Sequence, residues 1–389
     1  MKYLVALLLL MHGLIHLMGF VKAFELAEVA QLSQAISRPA GVAWLLTGLA
    51  FGLAGVLYLL GQPNWWLAAT PALLLSQGLI LLSWRDARFG TIANLLILLL
   101  LIGVLAQWRF DAGVAQTRSA MLPARTTERI VTDTDIQRLP APVASWLKRA
   151  GVVGKAAVND LQLWQRGSLR TSPKGAWMPV TAEQLFRVEP PAFSWRAEVQ
   201  MGPLTLLGHD QYLRGHGRML IKVQGLLPLA DSSGAATDQG SLLRYLAEIV
   251  WFPSAALSPY LRWEALDAHS ARATISQGGI SASAEFYFSP AGDFEHLTAR
   301  RYYDRKTGPT LENWLVEADP DSYRDFEGIR VPAKTQVSWQ LAEGDFNWFR
   351  LTVDAIHYNR LSRDASGPGS DANTGRLDLA GIGRSVADH

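Results

Sequence analysis

Two histidines, His12 and His16, stand four residues apart in the first apolar segment of the chain. On a helix that spacing puts both imidazoles on one face. Ionisable side chains within hydrocarbon are costly and mark a function by default. The pair could ligate haem or another metal, or make a proton or quinone contact. It could equally be an interhelical hydrogen-bonding element, with Gln77 or Asn94 as partner, at about 0.6 kcal/mol per bond. No second histidine pair occurs in the other apolar segments to complete a haem site.

A second group is His209, Asp210 and His216. Two imidazoles and a carboxylate suit a facial metal site. Strand alternation, however, sends His209 to the face opposite Asp210, and turn chemistry around Gly208, Gly215 and Gly217 is the competing account.

A third group lies on a helical segment: Arg244, Tyr245, Glu248 and Trp251. Arg244 and Glu248 have i, i+4 spacing, so a surface ion pair worth about 0.3–0.5 kcal/mol is one reading. The other is that Tyr245, Glu248 and Trp251 line the mouth of a cavity beneath the helix. Together with Tyr212 and Trp195 they are the candidate ligand-binding residues. Arg300 and Arg301 are neighbours on a strand and point to opposite faces, so they cannot clamp one anion together without a bulge. A solvated edge or a lipid-headgroup contact fits them better than catalysis.

Absences narrow the field. There is no Gly-x-Ser-x-Gly elbow, no His-Glu-x-x-His, no phosphate loop and no dinucleotide fingerprint. With no cysteine, disulfides, thiol catalysis and thiolate-ligated metal are excluded. The acidic pairs Asp133/Asp135 and Asp319/Asp321 lie in loop-like sequence and read as turn formers. No catalytic residue and no cofactor is assigned, and the chain reads as a non-enzyme.

The elements that must position these residues fall into two parts. Tyr3–Phe20, Ala40–Leu60, Trp65–Leu82 and Thr91–Trp108 contain no Asp, Glu, Lys or Arg. Each matches the length a helix needs to cross about 30 Å of hydrocarbon. Trp65, Trp66, Trp84 and Trp108 sit at their ends as an aromatic belt would. Residues 1–110 are therefore expected to form a bundle of four transmembrane helices. Val21–Arg38 is too polar to span and is expected to be an amphipathic helix at the interface. Gly48 and Gly52 give a small-xxx-small contact face. Even-numbered spans put both ends on one side. The compact Trp84–Arg88 loop favours the cytoplasm for itself, hence an extracytoplasmic soluble domain.

Residues 111–135 read as a polar connector. From 136 to 360 the dominant period is two, as in Trp195, Ala197, Val199 and Met201 or Ile280, Ala282, Ala284, Phe286 and Phe288. Such runs are strands with one buried face. Pro290–Asp293 and Glu343–Asp345 join successive strands as hairpins. One amphipathic helix interrupts them, with Thr237 or Asp238 as cap and Leu242, Leu243, Leu246, Ile249 and Val250 at helical spacing. The expected fold of this part is α+β: a curved antiparallel sheet, a half-barrel-like meander, with a covering helix. Residues 361–389, rich in Gly, Ser, Asp and Ala, are expected to be a disordered tail.

The near-neutral charge of the whole, 36 basic against 34 acidic residues, hides this division. Residues 1–110 hold six basic and three acidic residues, leaving 30 and 31 to the remainder. No basic field exists to bind nucleic acid.

Several blocks resemble an uncharacterised bacterial family of membrane-anchored β-domain proteins. They are Leu139–Val143 with Arg149–Gly154, Gly208–Tyr212 with Gly215–Met219, Leu243–Glu248 running into Trp251–Ser254, and Phe326–Pro332. The resemblance covers residues 136–360 and implies no activity. More loosely, the meander is similar to the half-barrels of periplasmic lipoprotein and lipid carriers, in which a curved sheet and a helix enclose an apolar cavity. The combined expectation is an inner-membrane protein whose tethered β-domain binds lipid or another apolar ligand at the membrane surface. Its partners are membrane lipid and that ligand. The alternatives are a redox or metal/haem protein using His12 and His16, and an envelope assembly protein acting through protein contacts.

Overall fold

The structure is a computed structural model that describes residues 2–122, 129–305 and 308–361. All but Leu361 of the expected tail lies outside the described residues. The chain forms two compact units, Met1–Ala112 with Gln224–Leu226, and Gly113–Val223 with Leu227–His389.

The first unit contains α1 (Lys2–Ala23), α2 (Arg38–Leu59), α3 (Trp66–Leu82), the short α4 (Trp84–Ala87) and most of α5 (Gly90–Met121). Three of these, α1, α2 and α5, are long and apolar enough to cross a membrane; α3 is apolar but has 17 residues. Leu9, Phe51, Ala72 and Ile97 pack together in the interior. Leu7, Leu14, Leu53, Leu74 and Leu99 face outward and are exposed. Such a leucine surface is at ease only in another apolar phase, and so is compatible with membrane anchoring. Glycine permits a close approach of α1 to α2: a Cβ on Gly13 would lie 2.9 Å from the Gly48 carbonyl oxygen and 3.3 Å from the Gly52 amide.

The interfacial helix expected over Val21–Arg38 does not form. α1 continues to Ala23, Glu25 adopts a φ of 55°, and residues 24–37 are turns and irregular chain. Side chains take over the groups a helix would have paired. The Asp86 carboxylate accepts from Ser33 N at 2.7 Å and Gln34 N at 3.0 Å, and the Lys22 ammonium donates to the Leu32 carbonyl. Val29 and Leu32 are buried all the same.

The second unit begins with the end of α5. Its Arg118 pairs with Glu183 at 2.9 Å, and residues 113–121 of the expected connector are helical. α6 (Asp133–Ile136) and α7 (Ala141–Arg149) follow, parted near Pro140. Then come β1 (Asp160–Leu169), β2 (Met178–Arg187), β3 (Ala192–Met201), β4 (Leu204–Leu213), β5 (His216–Val223) and β6 (Leu227–Ser233). After α8 (Ala235–Glu248) the chain forms β7 (Leu261–Ala265), β8 (Ser270–Gln277), β9 (Ile280–Phe288), β10 (Phe294–Tyr303) and β11 (Thr310–Ala318). It ends with β12 (Tyr323–Phe326), β13 (Ile329–Pro332), β14 (Lys334–Leu341) and β15 (Gly344–Tyr358).

Thirteen of these strands make one antiparallel sheet in the order β6-β5-β4-β3-β2-β1-β15-β14-β11-β10-β9-β8-β7; β12 and β13 form a separate ribbon. A sheet this wide curls because twist accumulates from strand to strand. Bulges at Trp164/Gln165, Ile221/Lys222 and Val337/Ser338 add bend. The curl brings the β4–β5 turn to the β8–β9 turn, where a Cβ on Gly215 would lie 3.9 Å from the Gly278 Cα. The result is the expected half-barrel. α8 joins its two edge strands and packs against β4, β5, β9 and β10 inside the curl.

The expected caps of α8 are corrected. The helix starts at Ala235 behind Gly234, which takes a φ of 99°. Asp238 instead turns its carboxylate to β5, where Oδ1 accepts the Gly217 amide at 2.7 Å. Trp251 falls outside the helix, in a one-turn 3-10 segment, Ile249–Trp251.

Candidate functional site

The most unusual chemistry in the half-barrel is a charged cluster between α8 and the inner face of the sheet. Arg244 projects from α8 onto β4. Its Nη1 donates to Asp210 Oδ2 at 2.7 Å and its Nε donates to Glu248 Oε1 at 2.9 Å. Gln184 from β2 donates through Nε2 to the second Glu248 oxygen at 2.8 Å. The guanidinium lies over two rings of β3, 5.1 Å from Phe193 and 4.9 Å from Trp195. Burial alone would lower the pKa of Arg244, but Glu248 and Asp210 outweigh it and hold the pKa above its ordinary value. Burial pushes the Glu248 carboxyl up, and the Arg244 charge offsets only part of that.

Arg301 of β10 is the second cation here. It alternates with exposed Tyr302 and points inward, its guanidinium 4.8 Å from the Trp314 ring centre. Burial lowers its pKa to about 10, and Asp210, Arg244 and Glu248 are its charged neighbours. Unlike Arg244, it has no hydrogen bond or ion pair to any described residue. Around the two arginines three buried polar atoms also lack partners among the described residues: Gln165 Nε2, Asp210 Oδ1 and Trp314 Nε1. Gln165 belongs to the cluster because its Oε1 accepts the Trp195 indole at 3.1 Å.

The sheet wall opens beside this cluster. β9 pairs with β10 only from Phe288 back to Ala284, opposite Ala299. Beyond that point β9 stays with β8, while β10 stays with β11. The parted strands leave a groove of about 570 Å³, lined by Ser283, Arg300, Tyr302 and, from α8, Gln239. Next to Gln239, a Cβ on Gly240 would lie 3.7 Å from Arg301 Nε.

The five candidate ligand-binding residues divide into two groups. Glu248 and Trp195 belong to the charged cluster. Tyr245, Trp251 and Tyr212 are fully packed: the Tyr245 hydroxyl donates to the Val188 carbonyl at 3.3 Å, and the Trp251 indole to the Pro332 carbonyl at 3.2 Å. Tyr212 Oη lacks a partner among the described residues, and burial beside Asp238 pushes its pKa to about 12. Sequence spacing signalled the Arg244–Glu248 pair as a surface contact; strand register makes it an interior one. The solvated-edge reading of Arg301 is corrected, since it lies against Trp314 on the inner face, while Gln165 and Gln184 carried no sequence signal beyond inward parity on their strands.

His209, Asp210 and His216 do not converge. His209 faces Ser194, with Nε2 3.0 Å from Oγ. Asp210 faces Arg244, and exposed His216 lies 3.6 Å from Asp238. Among the described residues no group of three His, Cys, Asp or Glu side chains is arranged to hold a metal. In the helical unit the His12 and His16 rings are 4.7 Å apart. His12 Nε2 meets Asn94 Oδ1 at 2.8 Å and Ser76 Oγ at 3.2 Å, and Asn94 Nδ2 donates on to Gln77 at 3.0 Å. His16 Nδ1 donates to the His12 carbonyl, leaving Nε2 without a described partner.

No curated protein matches the chain. Among solved structures it is similar to a DUF1329 family protein from Desulfovibrio piger, at 9% identity over 57% of this chain and 92% of that one, with a TM-score of 0.32. A likeness of that size carries no argument about function. Residues 129–351 match the family described as "Family of unknown function (DUF6544)", and the chain belongs to that family.

Proposed function

We propose that the half-barrel is a non-catalytic binding module for a lipid or other apolar ligand at a membrane surface. The observation that carries this reading is the inner face of the curled sheet around Trp195, Trp314, Trp339 and Phe349. It is aromatic, it retains buried polar atoms without partners, and a groove opens beside it. Apolar walls with a few convergent polar groups are what a small-molecule site requires.

The N-terminal helices supply the tether in this reading. We count α3 as a fourth span, since 17 residues at 1.5 Å each reach about 26 Å. Four spans leave both ends on one side, which we assign to the outside of a bacterial inner membrane. A reporter fused after residue 360, active only outside the cytoplasm, is the expected result.

The binding reading is tested by native mass spectrometry of the full chain released from detergent. A bound apolar molecule, or saturable uptake of an added lipid, is expected. A protein that carries none and takes up none overturns the reading.

A further inference from the structure

Arg301 is the charged member of the interior cluster that makes no hydrogen bond or ion pair to any described residue. Arg244 already serves Asp210 at 2.7 Å and Glu248 at 2.9 Å, so its charge is committed to two carboxylates. Arg301 has only the face of Trp314 and the longer-range field of the two carboxylates. Arg301 is only partly buried, and none of its nitrogens is among the buried atoms that lack a partner, so its donors face space that a ligand can enter. Beside it, the Trp314 indole N–H is buried and unmet. Two donor groups without acceptors, one charged and planar, describe a receptor for a planar or tetrahedral oxyanion.

We infer that Arg301, with Trp314 Nε1 beside it, receives the oxyanion head of the ligand, a carboxylate or a phosphate, and that an amphiphile with an acidic head is therefore the preferred class. The inference rests on the reading of the half-barrel as an apolar-ligand module. Neither Arg301 nor Trp314 lines the groove between β9 and β10, but its α8 wall at Gln239 adjoins Gly240, which faces Arg301, and on this inference the head would enter there. Arg300 cannot share the task. It lies on the outer face, where it donates to Asn313 Oδ1 at 3.0 Å. The tail of the ligand would run along the aromatic inner wall.

The experiment titrates the full chain in detergent with oleate, methyl oleate or inorganic phosphate and reads occupancy by native mass spectrometry. Wild type is expected to half-saturate at about tenfold less oleate than methyl oleate, the two differing only in the charge of the head. Arg301→Gln should raise the oleate requirement about tenfold and leave methyl oleate unchanged. Arg262→Gln, an exposed change on β7, should alter neither. Should Arg301→Gln not fold, Trp314→Phe keeps an aromatic face, removes the N–H and should weaken oleate about threefold.

Equal oleate binding by wild type and the folded Arg301→Gln or Trp314→Phe protein overturns the head-group assignment while the apolar reading stands. Phosphate binding that needs Arg301, without uptake of either oleate or its ester, upholds the oxyanion site, assigns it to a free anion and overturns the apolar reading. Failure of all three probes overturns both.

Discussion

Asp210 and Glu248 share one guanidinium: Arg244 is 2.7 Å from the first and 2.9 Å from the second, and all three side chains are largely buried. Removing the cation leaves two carboxylates in a wall of low dielectric. Arg244→Met is therefore expected to cost about 3–5 kcal/mol. The loss should shrink as pH falls from 8 to 5 and the Glu248 carboxyl, which burial already pushes up, takes up a proton. Adding Asp210→Asn and Glu248→Gln should recover most of it at neutral pH. Urea unfolding of the detergent-solubilised chain, followed by tryptophan fluorescence, measures each step. A single Arg244→Met as stable as wild type would contradict the interior placement of the cluster.

A second prediction concerns the contact between α8 and β5. A Cβ at position 217 would lie 2.5 Å from Ser241 Oγ and 2.6 Å from the Thr237 carbonyl oxygen. The hydroxyl can turn away, but the carbonyl is helix backbone. Gly217→Ala should cost about 1–3 kcal/mol. Ser241→Ala in the same chain should restore only part of it, as a lowered urea midpoint would show.

His209 gives a pH dependence with a defined sign. Burial, aided by Arg118, Arg218 and Arg196, lowers its pKa to about 4, against an ordinary value of 6.5. The unfolded chain therefore binds the proton first as pH falls, so stability is whole above 6.5 and drains between 6.5 and 4. The drop attributable to this group is about 3 kcal/mol. His209→Gln, which keeps a partner for Ser194, should flatten the profile across that window. A wild-type profile already flat there would sink the assignment.

The helical unit predicts a colourless protein. Asn94 Oδ1 can only accept, so the near proton belongs to His12 Nε2, and that nitrogen is not free for a metal. No Soret band is expected from detergent-purified protein. His12→Ala should cost about 1 kcal/mol in helix association. A haem band lost in His12→Ala would reverse this view.

Much of the architecture was readable in residues. Ile280–Phe288 announced a strand and Glu343–Asp345 a hairpin because alternation and turn chemistry are local, though the turn itself is residues 342–343 and β15 already starts at Gly344. The amphipathic run around Leu242 and Leu246 announced α8 for the same reason. Val21–Arg38 misled, because its helical spacing could not report that Asp86, far along the chain, would claim the Ser33 and Gln34 amides. The cluster was half legible. The i, i+4 spacing joined Arg244 to Glu248, but Asp210, Gln184 and Arg301 reach them through strand register and curl, which no short window contains. Thr237 and Asp238 had the right chemistry for a cap, yet a neighbouring strand's amide outbid the helix's own.

The position of β15 has a consequence for synthesis of the chain. It pairs on one side with β1 and on the other with β14, from Leu161 opposite Tyr358 to Leu341 opposite Gly344. Among the described strands the two halves of the sheet therefore meet only at β15, which follows all the others in the chain. Until residues 344–358 emerge, β1 and β14 present long unpaired edges, the feature that most invites aggregation. A chain stopped short of residue 344 should behave as two open sheets and need chaperones or proteolysis. Closure of the sheet therefore waits on residues 344–358.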